Sequence, residues 1–543
     1  MKRYHDFIVV GSGPSGAMAA QSLVEAGADV GMVDVGFYDD YYQDKIPKNN
    51  FASIRKSDAD QHVYFLGKNF EGISFGKTKA GAQLTPPRQF TTEGTGKWLP
   101  VASDNFQPVE SLAYGGLGGA WGLACFVYSE PEIQAVGLQK EALLDSYRVI
   151  AGRIGISGIH DDGSPYCLGK LQNIQPPTRL ESGLNGIYSS YQKNSSLLKS
   201  KGFFLGRTPL AMLTSDLGRR KSTEYRDMDF WDNYGDSAYR PAITLNDLKK
   251  RPNFFYYGNC LVTRFSEQSA EIEITARKTN GSKYEDEKFY CKKLILAAGT
   301  LGTARIVMRS FNYNQNRLPI LCGIYCYLPC FQPRMIGKEA DARKISYSQL
   351  SLFYDKHKNG FDISTLMFYT YSSLMLFRLA NELPFNFADA LRLLRLGYPC
   401  LAIAGLHHPD KGSPDKYIKL VKDESSPTGD KLVINYKLSD REIRENISRE
   451  KMIKKALRRL GCYPIKRLDP GYGSSIHYGG TLPFNDSGKP FTLSVSGRLN
   501  GTENVYVADG SGLRYMPAKG PTFTLMANAH ITACNALKSF RHG

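Results

Sequence analysis

The chain has 543 residues, 42% hydrophobic and 22% charged, with a formal net charge of +17. That length and balance suit a folded protein with a large core, and exclude a mainly disordered chain. The basic excess points to nucleic acid, an anionic membrane surface or acidic substrates. Lys and Arg are scattered, however, without zinc-finger spacing or a basic arm, which argues against nucleic acid. The ten Cys residues form no CxxC pair, so neither a zinc site nor a disulfide framework is supported.

The N-terminus, MKRYHDFIVVGSG, has no apolar leader or cleavage site before its first strand, and predicts a cytoplasmic protein. Phe7 to Val10 form an apolar run suited to a buried parallel strand. Gly11-Ser12-Gly13-Pro14-Ser15-Gly16 then reads G-x-G-x-x-G. The first Gly permits the tight turn, the second lets backbone approach a pyrophosphate, and the third lets helix and strand pack closely. The following helix offers free N–H groups and its positive dipole end to phosphates. Gly27 stops that helix, and a second strand ends near Asp34, where the fingerprint places an acid for ribose hydroxyls. Strand, glycines, helix, strand and acid agree in order, which predicts dinucleotide binding and leaves FAD or NAD open.

Residues 51–99 read as a Gly/Pro-rich excursion, either a lid or a plain loop. SLAYGGLGGAWG (111–122) is a second Gly-rich segment, and NCLVTRF (259–265) reads as a strand. KKLILAAGTLGTARIVMRS (292–310) is an apolar strand running through a turn at Ala298 and Gly299 into a helix. Cys322, Cys326 and Cys330 are four apart, which would align them on an apolar helical face disturbed by Pro329. YSQLSLFYD (347–355) alternates like a half-buried strand. Residues 364–406, rich in Leu, Phe and Tyr, are too interrupted for a clean membrane span. They suit either shallow insertion at a bilayer surface or a core or dimer hairpin. His407 and His408 are adjacent, so on a strand at most one enters a pocket. Residues 439–461 read as an amphipathic helix, capped by Ser439 and ended by Gly461, with Ile443, Ile447, Ile453 and Leu457 on one face.

His477, in SSIHYGGT, is a loop residue bonding backbone or a general base. LNGTENVYVADGSGL (499–513) is a strand ending on Asp509 and Gly510, at the edge where ligands of open α/β sheets sit. A helix follows, with Pro521 in its first turn and Thr522 next; its N-terminal dipole would favour negative charge on a reduced flavin.

Together these segments resemble the glucose–methanol–choline (GMC) family of FAD oxidoreductases, in a branch similar to pyranose oxidases. The resemblance implies an α/β architecture: a discontinuous Rossmann-like FAD-binding domain (1–50, 100–165, 245–312 and 498–543) and an α+β substrate domain on an antiparallel sheet (166–244 and 313–497). It implies that Gly115, Gly116, Gly119 and Trp121 lie beside the flavin and that the backbone of Val262 reads adenine. Relatives similar to pyranose oxidases attach flavin to a His before this Trp; Ala120 stands there, which implies non-covalent FAD. It places His477 over the flavin ring as the base for an alcohol proton. The family's second His or Asn aligns with Gly520, beside Lys519. Lys519 is expected at the surface or on an anion, or, if it points inward, on an alkoxide.

The expectation is thus an FAD oxidoreductase acting on the CH–OH group of a sugar, glycoconjugate or other alcohol. The electron acceptor stays open between oxygen, a quinone and a protein, as does assembly into a homo-oligomer. Two rivals remain: an NAD(P)H-fed flavin reductase, against which no second G-x-G-x-x-G is found, and a non-catalytic flavoprotein scaffold at the inner face of a membrane.

Overall fold

The computed structural model describes residues 3–72, 85–269, 271–280, 284–370 and 383–542, a mixed α/β fold with several sheets. The apolar run Phe7 to Val10 makes its strand, Arg3–Val10, a central member of a seven-stranded sheet. Five strands run parallel in the order Phe254–Tyr257, Val30–Val33, Arg3–Val10, Asp286–Leu296, Val505–Val507. Asp286–Leu296 is long enough to serve two neighbours along one edge. Residues 286–291 pair antiparallel with Ile272–Lys278, which in turn pairs with Cys260–Glu267, while residues 294–296 pair parallel with Val505–Val507.

Both faces of the parallel part are covered, which is why its short strands are apolar throughout. Helices α1 (Pro14–Glu25) and α3 (Thr522–His542) pack together over Phe7, Val9, Val30 and Met32. Their contact is rich in small buried residues, among them Ala17, Ala20, Ala529 and Ala533, which let the axes approach. Helix α2 (Thr300–Ser310) packs on the other face, with Ile8, Val10, Leu294 and Leu296.

A second, six-stranded sheet is wholly antiparallel, in the order Tyr463–Pro464, Ile324–Phe331, Leu401–His408, Ser364–Thr370, Leu350–Tyr354, Phe203–Arg207. Alternation divides its side chains. Cys326, Leu328, Leu366, Phe368, Ala404 and Leu406 point to helices Ser182–Ser200 and Asp440–Arg459, where Leu184, Ile187, Ile453 and Leu457 complete a core. The opposite set, including Tyr325, Tyr327, Met367, Tyr369, Ile403 and His407, looks into a cavity shared with the parallel sheet.

Several expectations change here. Cys326 and Cys330 share the buried face of a strand with Leu328 rather than aligning on a helix. Leu350–Tyr354 is buried on both faces rather than half in solvent, because Leu350, Leu352 and Tyr354 pack under helices while Phe353 joins the core on the opposite face. Helix Asp440–Arg459 has the expected Ser439 cap, with Glu442 completing a capping box. Only Ile453 and Leu457 of its expected apolar face are buried; Ile443 and Ile447 are exposed, because the helix contributes to the core only through its second half. Pro521 precedes α3 instead of opening it. Residues 51–99 include helix Phe51–Ser57, whose Phe51 and Ile54 pack with Met228 and Trp231; residues 73–84 lie outside the described set.

The stretch 364–406 is not one unit. Its ends are the buried strands Ser364–Thr370 and Leu401–His408, and its centre, 371–382, lies outside the described residues. Helix Phe387–Gly397 leaves Leu393 and Leu396 in solvent. Among the described residues no helix is long and apolar enough to cross a membrane.

Candidate active site

The cavity, of about 550 Å³, opens at the C-terminal ends of the parallel strands. Val10 and Gly11 end one strand, Val33 to Val35 the next, Ala297 to Thr300 the third, and Asp509 and Gly510 follow the fourth. Gly11 has φ +96, and a Cβ there would lie 2.6 Å from the Ala297 carbonyl oxygen. A Cβ on Gly16 would lie 1.9 Å from the Gly11 oxygen, so helix and strand meet only through glycine. Gly13, by contrast, faces open space, and no side chain caps α1. The free N–H groups of its first turn are left for a ligand, and Gly13, Pro14 and Ser15 line the cavity there.

Asp34 accepts hydrogen bonds from Ser12 Oγ at 2.5 Å and Tyr256 Oη at 3.0 Å. Burial lifts its carboxyl to about 6, against those two bonds. Ser12 Oγ also accepts from the Gly115 N–H at 2.9 Å, tying the second Gly-rich segment to the first. A Cβ on Gly116 would come 3.0 Å from the Gly13 Cα. Val262 lines the far end of the cavity with Leu261, Arg305 and Arg309. The two arginines are held by Glu110 (2.5 and 3.0 Å) and Asp430 (2.6 and 2.7 Å). Asp509 accepts from Thr303 Oγ1, Ser511 Oγ and the Ser511 N–H, while burial raises its carboxyl. Ala298, Gly299, Pro521 and Thr522 line the wall, as does Trp121, whose indole N–H donates to the Tyr239 carbonyl at 2.9 Å. Gly16, Gly115 and Gly119 stand behind this wall; Gly119 gives its carbonyl to Arg88 at 3.2 Å.

His477 projects where the two sheets meet. Tyr478–Gly479 pairs with Leu321–Cys322, and the Gly323 N–H donates to the His477 carbonyl at 2.9 Å. Ile476, just before it, holds φ +61, a costly conformation for a β-branched residue, of the kind that collects at functional sites. Neither ring nitrogen of His477 hydrogen-bonds a described residue. Burial lowers its imidazole to about 4, so the ring is neutral near pH 7. A Cβ on Gly520 would lie 3.9 Å from His477 Cε1 and Nε2.

Two expectations are settled by side-chain direction. Lys519 is neither at the surface nor in the cavity: it is fully buried, its Nζ 2.5 Å from Glu132 and 3.3 Å from the Val127 carbonyl. Of the adjacent pair, His407 enters the cavity, and His408 turns to the helices, bonding Ser364 at 2.9 Å and facing Glu450 at 3.7 Å.

With this geometry in view, comparison with known proteins gives one relation. The chain is similar to paromamine 6′-oxidase of Streptomyces fradiae, 22% identical over 541 residues, covering 97% of this chain and 90% of that protein. No family model matches.

The aromatic wall opposite the parallel sheet escaped sequence reasoning. Phe230, Tyr325, Tyr327, Tyr347 and Tyr369 all line it. The tyrosines of IYCYLPC alternate with its cysteines, a period-two signal that the four-residue Cys spacing masked. Gly405, across from Tyr327 and diagonal to Tyr325, leaves room for the Tyr325 hydroxyl: a Cβ there would meet it at 2.5 Å.

Proposed function

We propose that the chain is an FAD-dependent oxidoreductase of GMC type that oxidises a CH–OH group of a sugar or related alcohol. The observation that carries this reading is a neutral imidazole without a hydrogen-bond partner, His477, in the same cavity as an uncapped glycine-turn helix. The residues present fit FAD, held non-covalently. The first turn of α1 with Gly11, Ser12, Gly13, Pro14 and Ser15 suits a pyrophosphate, and Asp34 a ribose. The Val262 backbone suits adenine, and Gly116, Trp121, Ala298, Gly299, Asp509, Gly510, Pro521 and Thr522 surround the remainder. Gly16, Gly115 and Gly119 act from behind by fixing the backbone.

When bound, the flavin supplies the acceptor for the hydride that leaves the carbinol carbon. His477 takes the hydroxyl proton, so that CH–OH becomes C=O with loss of one hydride and one proton. A neutral base is required for this, and burial keeps the ring neutral. The donor side of the wall is uncharged and aromatic, which suits the apolar faces and hydroxyl edges of a neutral sugar. The similarity to a Streptomyces fradiae oxidase supports the same reaction class.

The test is anaerobic titration of the purified protein with a panel of sugars and polyols. Yellow protein bleached by a panel member is expected, with His477→Ala retaining FAD but reduced on the order of a hundredfold more slowly. Protein that takes up no flavin, or that is bleached by NADPH and by no alcohol, would overturn the reading.

A further inference from the structure

His407 is the second group on the cavity wall able to hold a donor oxygen. It sits on strand Leu401–His408, with Tyr325 and Thr365 as its cross-strand partners. Its ring stacks between Tyr325 (centroids 4.3 Å apart, planes at 28°) and His477 (5.3 Å, 22°). Its Nδ1 is buried without a hydrogen-bond partner, and its Nε2 bonds no described residue. Burial, and the neighbouring imidazoles of His477 and His408, hold it well below the usual histidine range, so it too is neutral.

The other enclosed histidines are all engaged. His5 meets Asp29 and Tyr257, His160 the Leu171 carbonyl, His408 Ser364, and His530 Ser22. His408 Nε2 also lacks a hydrogen bond but faces the Glu450 carboxylate at 3.7 Å, so the two stacked cavity rings are the enclosed imidazoles of which neither nitrogen bonds a described residue. Leaving such nitrogens unpaired is costly unless a ligand completes them. Gly520, beside the His477 ring, offers no side chain to do so.

We propose that His407 binds the donor: its neutral ring gives an N–H hydrogen bond to the hydroxyl oxygen whose proton passes to His477. The inference rests on the oxidoreductase reading and adds to it the residue that fixes the reacting oxygen. As the O–H proton moves to His477, negative charge grows on the oxygen, and the His407 N–H, which keeps its proton, stabilises that charge. Two stacked imidazoles cannot both be cationic at low cost, so a single proton resides on His477 while His407 stays a neutral donor.

The test uses the panel sugar or polyol that reduces the wild-type flavin fastest, together with its carbonyl product. His407→Phe retains the stack on Tyr325 and His477 but has no nitrogen; His407→Gln retains a donor. In His407→Phe, flavin content should match wild type, product binding by calorimetry should weaken about tenfold, and flavin reduction should slow by roughly a hundredfold. His407→Gln should recover at least tenfold of that rate, and so should Gly520→Asn introduced into His407→Phe, since position 520 has room for a side chain beside the same ring. His407→Phe that binds product and reduces flavin within about threefold of wild type would make the ring mere packing and overturn the inference, leaving the oxidoreductase reading intact. If no panel member reduced the wild type, that reading would fall and take this inference with it.

Discussion

At the residue scale, the two cavity histidines carry a pH signature. The unfolded His477 imidazole takes a proton near the ordinary 6.5, whereas the folded one resists until about 4. As pH falls through that window, the unfolded chain binds a proton that the folded chain refuses, so stability declines between about 6.5 and 4. His407 is displaced in the same direction. Thermal unfolding from pH 4.5 to 7.5 is expected to show this loss, and a double His477→Gln/His407→Gln variant to show less of it. If His477 is the base, as proposed, it is already neutral near pH 7, so the reductive rate should stay level from about pH 6 to 8 and fall only as pH approaches 4. A rate that climbed through a transition near 6.5 would contradict the buried, neutral state.

At the scale of elements, the buried pair Lys519–Glu132 ties helix Glu130–Val136 to the segment entering α3. Both side chains are fully buried, and Glu132 Oε2 also accepts from the Ser129 N–H at 2.8 Å as part of a capping box. Lys519→Met should strand a buried carboxylate and cost about 3–5 kcal/mol in denaturant unfolding. Pairing it with Glu132→Gln should return much of that loss, because no net charge is then left unpaired. Equal destabilisation in the single and double variants would show the pair to be unimportant.

The same scale explains what could be read beforehand. The Gly11 to Gly16 turn and Asp34 were legible because local geometry alone demands them: a Cβ at Gly16 has nowhere to go. His477 was legible as a candidate, but its neutrality depends on neighbours distant in sequence. That His407 rather than His408 faces the cavity follows from strand register, which the dipeptide does not encode. For Lys519 the surface and an anion were both open; it meets an anion, but that this is the buried carboxylate of Glu132 could not be read because Glu132 lies on a remote helix. The apolar stretch 364–406 left membrane surface and core or dimer hairpin both open, because an interior strand of a covered sheet and a lipid-facing arm share one composition.

At the scale of the whole molecule, the cavity is a seam between two sheets whose strands come from both ends and the middle of the chain. Strand Val505–Val507 completes the parallel sheet, and α3 leans on α1, where Ser22 Oγ and His530 Nδ1 meet at 2.7 Å. A chain cut after Arg514 should retain no flavin, as absorbance of the heat-released cofactor would show; yellow truncated protein would mean that α3 is dispensable to the seam.

This arrangement bears on biosynthesis. While a ribosome is still working through the middle of the message, the glycine turn has emerged, yet neither the helix that leans on α1 nor the neighbouring strand has been made. On the proposed flavin reading, cofactor capture waits until that strand and that helix have been made. Until then the nascent protein carries an uncovered flank of alanine, valine and isoleucine, which α3 and strand Val505–Val507 later close over.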